Sequence, residues 1–232
     1  ARNQNKKLCD LFGVPGDSVK VYASGIHPKE VNKRLTFALD KGFSSFKIKV
    51  GFGKEIDQSG LTEATKLTSR AHRIMVDANQ AWVSTSDAAL NIQSLSKFNV
   101  TWVEEPLRAN ASLSDWRSLR KAIDVPLAGG ENLSTLDDVK TYWNKGIFNY
   151  MQPDIGKIGG FTGLLRIFGS QSCFSHNDCT YCPHWLGGMV GLAASAHLLT
   201  IVGNTGLLEV DVNQNPIREK LADWGLCVSS QG

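Results

Sequence analysis

Seven short apolar runs in this 232-residue chain each end in polar side chains suited to proton transfer or to holding a cation. They read FKIKVG (Lys47, Lys49), MVDANQAW (Asp77, Asn79), WVEEPL (Glu104, Glu105), LAGGENL (Glu131), MQPDIGKIGG (Asp154, Lys157), YCPHWLGG (His184) and LLEVDVN (Glu209, Asp211). Asp77, Glu104 and Glu131 supply three hard oxygen donors from three successive runs. With room left for water and a substrate oxygen, that set suits Mg2+, which demands octahedral geometry and retains waters. Any one of them alone would read as a helix N-cap or a surface carboxylate. Three in succession, preceded by Lys-x-Lys, read as a site.

Lys47 and Lys49 share one face of their run, opposite Phe46, Ile48 and Val50. Buried near a cation and near each other, their pKa values should fall, leaving a neutral amine to act as a base. The alternative is an exposed strand face along which the lysine stems snorkel. Asp154 and His184 end neighbouring runs, so the carboxylate can hold the imidazole in one tautomer and create a second acid or base. His197, within LAASAHLL, sits on an apolar helix and reads as a packing residue.

Strand signals alternate with amphipathic helix signals throughout, the pattern of βα units and a parallel sheet. Strands are expected at 19–24, 43–50, 73–78, 100–105, 125–130, 148–153, near 178–182 and at 206–210. Helices are expected after Pro28, a good first-turn residue, and over 55–71, 86–97, 112–122, 134–144, 160–171 and 187–200. Eight strands and about seven helices predict a TIM-like (β/α)7β barrel over residues 19–232. Its carboxyl-terminal strand ends would gather the polar groups on one face. Residues 1–18 read as the remnant of an upstream helical segment.

Composition agrees with one globular domain: 42% hydrophobic, 20% charged and a formal charge of +3 with no basic stripe of the kind that binds nucleic acid. No apolar run reaches the roughly 20 residues of a membrane helix. Five cysteines, an odd number in a domain of this size, fit a reducing, cytoplasmic compartment. Cys179 and Cys182 form a C-x-x-C with His184 just beyond. A zinc or redox reading of it lacks a second ligand pair at zinc-like spacing.

Taken together, Lys-x-Lys, Asp, Glu, Glu, Asp, His and Glu resemble the enolase superfamily, and within it the mandelate racemase subgroup, over nearly the whole chain. The resemblance implies that Asp77, Glu104 and Glu131 bind Mg2+, with Lys49 one base and Lys47 assisting it and touching the substrate carboxylate. It further implies Asp154 and His184 as the second acid or base, Glu209 hydrogen-bonded to the substrate carboxylate or enediolate, and Asn79 as support. Muconate lactonizing enzymes and dipeptide epimerases are similar too, but they place a lysine where Asp154 stands. Lys157, three residues on, would lie beyond the strand end.

The activity implied is Mg2+-dependent abstraction of the proton α to a carboxylate through an enediolate, leading to dehydration of a sugar acid. Racemisation or epimerisation of a 2-hydroxy acid is the alternative, and a catalytically silent barrel is a further one. Family members carry an N-terminal capping domain that closes the barrel and sets specificity; with the first strand expected near residue 19, such a domain is expected to lie outside this sequence. A small carboxylate substrate and a homo-oligomer at full length are expected, with neither nucleic acid nor membrane as partner.

Overall fold

The computed structural model describes residues 1–168, 179–203 and 205–221. Eight strands, β1 (Val21–Ile26), β2 (Ser45–Lys49), β3 (Arg73–Asp77), β4 (Val103–Glu104), β5 (Leu127–Gly129), β6 (Tyr150–Met151), β7 (Thr180–Tyr181) and β8 (Leu208–Asp211), form one sheet in the order β7-β6-β5-β4-β3-β2-β1-β8. Every pairing is parallel. At the β7/β8 seam the Leu207 N–H donates to Cys182 Sγ at 3.4 Å and the Trp185 N–H to Glu209 Oε2 at 3.1 Å. The sheet thus curls on itself as the expected (β/α)7β barrel.

Helices α1 (Leu8–Leu11), α2 (Val31–Asp40), α3 (Lys54–Leu67), α4 (Thr85–Ser94), α5 (Leu113–Ala122), α6 (Leu136–Asn144), α7 (Gly160–Phe168), α8 (Met189–Val202) and α9 (Pro216–Leu221) complete the described chain. Several start where a hydroxyl caps them. Ser84, Ser112 and Thr135 accept the backbone N–H of Asp87, Asp115 and Asp138, satisfying donors that have no partner inside the helix.

Three expectations about helix length shift, the helix expected over 86–97 ending at Ser94 before a 3-10 turn at Ser96–Phe98. Pro28 opens a 3-10 turn over Pro28–Glu30, and α2 begins only at Val31. The helix expected to reach 71 stops at Leu67, because Thr68 turns extended and returns its hydroxyl to the Ala64 carbonyl at 2.8 Å. The end of the helix expected over 160–171 lies outside the described residues, as do Cys173 and Cys227. The N-terminal segment holds a 3-10 turn at Arg2–Gln4 and the single-turn α1, which lies against α8 and buries Cys9.

Strand alternation builds two cores. Phe46, Ile48, Val76 and Val103 point outward into the layer between sheet and helices. Tyr22, Met75, Trp102, Ala128, Cys182 and Leu207 form a second cluster that fills the barrel beneath the polar end. Cys179 belongs to the outer core and Cys182 to the inner one, so the C-x-x-C pair does not converge on a metal. Burial pushes both thiols up to about 12, which keeps them protonated and unreactive.

Candidate active site

Parallel register decides which polar groups meet. Lys49 pairs with Asp77 across β2/β3, and Asp77 with Glu104 across β3/β4, so three strand ends carry charge side by side. Lys47, two residues earlier on β2, points the same way and lies deeper, 2% exposed. Its ammonium contacts Glu104 directly, with Glu209 Oε1 at 2.7 Å and Asp77 Oδ2 at 3.9 Å. The expected fall in the Lys47 pKa is reversed. Burial pulls it down, but the Glu104 and Glu209 carboxylates outweigh burial and hold it well above the ordinary lysine value. Lys47 is therefore the resident cation of this cluster, and the amine at the mouth is Lys49. The Lys49 side chain is 26% exposed, contacts Asn79 Oδ1 and lies 3.4 Å from Asp77 Oδ2.

On the other side, His184 Nδ1 lies 2.8 Å from Asp154 Oδ2, and Nε2 lies 3.1 Å from Glu131 Oε2 and 3.7 Å from Glu209 Oε2. Burial lowers the imidazole pKa, yet Asp154, Glu209 and Glu131 together raise it to about 9. Glu209 joins the two halves. It accepts from Ser24 Oγ at 2.5 Å, from Lys47, and from the Trp185 N–H. Burial would raise its pKa, but Lys47 and His184 bring it down to about 2. As an acceptor, Glu209 anchors Lys47 and His184 in this arrangement. An unbroken ionic chain thus runs Lys49, Asp77, Lys47, Glu209, His184, Asp154.

Sequence reasoning missed the groups that hold this chain. Gln152 Nε2 donates to Glu104 Oε2 at 2.7 Å, and Trp102 Nε1 lies 3.3 Å from the same oxygen. Gln152 sits two residues before Asp154, so strand alternation was a usable signal for it. Ser24 had none, since a buried serine in a strand is ordinary. Glu105, the neighbour of Glu104, turns away with φ +40° and is held by Asn132 and Gln80. Burial, with Glu131 nearby, pushes its carboxyl up to about 7. Lys157 does not replace Asp154: its ammonium donates to the Glu131 carbonyl at 2.9 Å. His197 lies on α8, away from these groups, as a packing residue should.

Among the described residues, no three His, Cys, Asp or Glu side chains form a ready metal cage. The donor set nevertheless fits a hard dication. Burial pushes Glu104 up to about 8; Lys47 opposes the rise, while Asp77, Glu209 and Glu131 add to it. Three neighbouring carboxylates add to the effect of burial while Lys47 opposes it, and that crowding of negative oxygen is what a dication would offset.

These shifts give a pH dependence in chelator. Glu104 is raised, so the fold loses stability as pH climbs from about 4.5 to about 8; His184 is raised, so its contribution is full below about 6.5 and lost by about 9. The melting temperature is expected to fall between pH 6.5 and 9, and Glu104→Gln should flatten that fall. An unchanged slope in the variant would clear Glu104 of responsibility.

A family model, Enolase C-terminal domain-like, matches residues 30–229. The chain belongs to that family. An L-talarate/galactarate dehydratase of Salmonella typhimurium is 30% identical over 173 residues, 72% of this chain and 43% of that protein. A crystal structure of a mandelate racemase/muconate lactonizing enzyme from Bordetella bronchiseptica superposes with a TM-score of 0.88 at 38% identity, covering 95% of this chain and 61% of that one. A racemase from Streptomyces coelicolor with bound magnesium gives 0.75 at 26%, covering 88% and 59%. The chain spans about half the length of the curated relatives it matches. No helix among the described residues is long and apolar enough to cross a membrane.

Proposed function

We propose that this chain is the catalytic barrel of a Mg2+-dependent enzyme that removes the proton α to a carboxylate and dehydrates a sugar acid. The observation that carries the reading is the ionic chain itself, with one proton-transfer group, Lys49, at one end and another, His184 on Asp154, at the other. Asp77, Glu104 and Glu131 would hold the metal. When bound, Mg2+ supplies the positive charge against which an enediolate dianion can develop.

Lys49, when neutral, takes the α-proton; Asn79 and Asp77 fix its ammonium afterwards. His184, whose neighbours keep it protonated near neutral pH, delivers a proton to the β-hydroxyl as the C–O bond breaks and water leaves. The resulting enol tautomerises to a 2-keto acid. Lys47 and Glu209 keep the buried charge of the site fixed while these protons move. Where no β-hydroxyl is present, return of a proton to the opposite face by the same pair gives racemisation. The family membership and the dehydratase relative support the first outcome, with galactarate and L-talarate as the natural trial substrates.

Titrating Mg2+ into chelator-treated protein should raise the melting temperature, because the ion binds only the folded state, and Glu131→Ala should abolish the rise. Release of a 2-keto product from an aldarate panel tests the chemistry. A melting temperature indifferent to Mg2+ in the wild-type chain would favour a silent barrel.

A further inference from the structure

The three carboxylates assigned to the metal are not held alike. Asp77 and Glu104 are the last residues of β3 and β4, paired with each other in register, so the sheet fixes both. Glu131 lies two residues beyond β5, past Gly130, whose φ of +122° turns the chain out of the ladder. It occupies, with Asn132, the middle of a turn closed by the Leu133 N–H on the Gly130 carbonyl at 3.2 Å. A side chain on such a turn has rotamer freedom that a strand-end carboxylate lacks, and its place must come from elsewhere.

His184 Nε2 meets one carboxylate oxygen, Oε2, at 3.1 Å, and the Asn132 amide meets the other from the opposite side of the turn. Its Nδ2 lies 2.8 and 3.0 Å from the two oxygens of Glu105 and 3.3 Å from Glu131 Oε1. Glu105 is itself anchored: 5% exposed, its backbone N–H on the Ala128 carbonyl at 3.1 Å, its own carbonyl accepting the Gln80 N–H at 2.7 Å. Gln80 in turn donates to Glu105 Oε2 at 3.3 Å and accepts the Ala109 N–H at 2.8 Å. Asn79, Gln80 and Glu105 all have left-handed backbones, at φ +44°, +64° and +40°. Non-glycine residues hold such conformations only where surrounding structure over-determines them. The loops after β3, β4 and β5 are thereby locked together through one buried carboxylate, and Lys157 adds its hydrogen bond to the Glu131 backbone carbonyl.

We infer that Asn132, braced on Glu105, is a positioning residue that holds the Glu131 carboxylate toward the metal position. The inference rests on the Mg2+ reading above and adds to it the device that compensates for a ligand lying off the sheet. Outer partners of this kind change metal affinity about 10–100-fold when removed.

Calorimetric titration of MgCl2 into the wild-type chain, Asn132→Ala, Glu105→Ala and Glu105→Gln tests it, beside melts of each in chelator. Asn132→Ala should bind Mg2+ about 10–100-fold more weakly. Because Asn132 is exposed, its melt in chelator should match the wild type. Glu105→Gln keeps an amide oxygen for Asn132 and should restore most of the affinity that Glu105→Ala loses. Wild-type affinity in Asn132→Ala overturns the inference, and so does a fall in its chelator melt that matches the loss of binding, since that marks a purely structural role. If the wild-type chain itself binds no Mg2+, the parent reading fails and this one with it; binding that Asn132→Ala leaves untouched defeats this one alone.

Discussion

Lys49→Ala and His184→Asn are each expected to lower sugar-acid turnover by about 10²–10⁴-fold, the range that a positioned acid or base contributes. The two losses should differ in kind. Removing Lys49 takes away the group that breaks the α C–H bond, so uptake of solvent deuterium at the α-carbon should stop along with product formation. Removing His184 leaves that group at the other end of the ionic chain. Deuterium uptake should then continue while loss of water stops, because the leaving hydroxide has no proton donor. Asn at 184 retains polarity beside Asp154 and Glu131 but cannot carry the proton. Combining the two substitutions should cost little more than the worse single one, as groups serving one sequence of proton transfers are not additive. Exchange retained in Lys49→Ala and lost in His184→Asn would reverse the assignments, and normal turnover in both would remove this pair from the reaction.

Most of the barrel was legible because seven of the eight strands lead into polar groups and most helices keep an apolar stripe. Lys47, Lys49, Asp77, Glu104, Asp154, His184 and Glu209 all come together as their strand-end positions required. What the sequence did not disclose was the sign of the interactions. Two neighbouring lysines near a cation predict lowered pKa values; in the fold Lys47 is surrounded by carboxylates, and their attraction exceeds the burial penalty. The strand-end position singled out Glu104 of the Glu-Glu doublet, but the use made of Glu105, swung behind Asn132 by its positive φ, had no local signal. Ser24 and the Trp185 N–H meet Glu209 from 185 and 24 residues away, contacts that follow from barrel closure and not from any local pattern.

Beside those contacts, Lys47 is the counter-charge shared by two buried carboxylates, Glu104 and Glu209. Its side chain is 2% exposed and those of Glu104 and Glu209 are 1% and 0% exposed, so no water reaches the charges to replace what it supplies. Lys47→Met keeps the length and most of the volume of the stem, and packing against the Tyr22 ring, 5.4 Å from the ammonium, should survive. What is lost is the counter-charge. Breaking a buried pair from one side costs about 3–5 kcal/mol, because the carboxylate left behind is both desolvated and unpaired. Here Glu209 is left ionised, and Glu104 joins it beside Asp77 once the pH passes about 8. The Lys47→Met chain is therefore expected to unfold at lower denaturant at neutral pH, to lose further stability above about pH 8, and to regain that further loss as pH falls and Glu104 takes up a proton. Lys47→Met combined with Glu104→Gln should recover that further loss, since the neutral amide keeps its hydrogen bond with Gln152 and removes one of the stranded charges. Saturating Mg2+ should also restore part of it by placing positive charge among the same oxygens. Chemical denaturation of the three chains with and without the ion measures all of this. A cost below about 1 kcal/mol for Lys47→Met, the level of an exposed pair, would show that solvent reaches the cluster and that Lys47 is not its essential counter-ion.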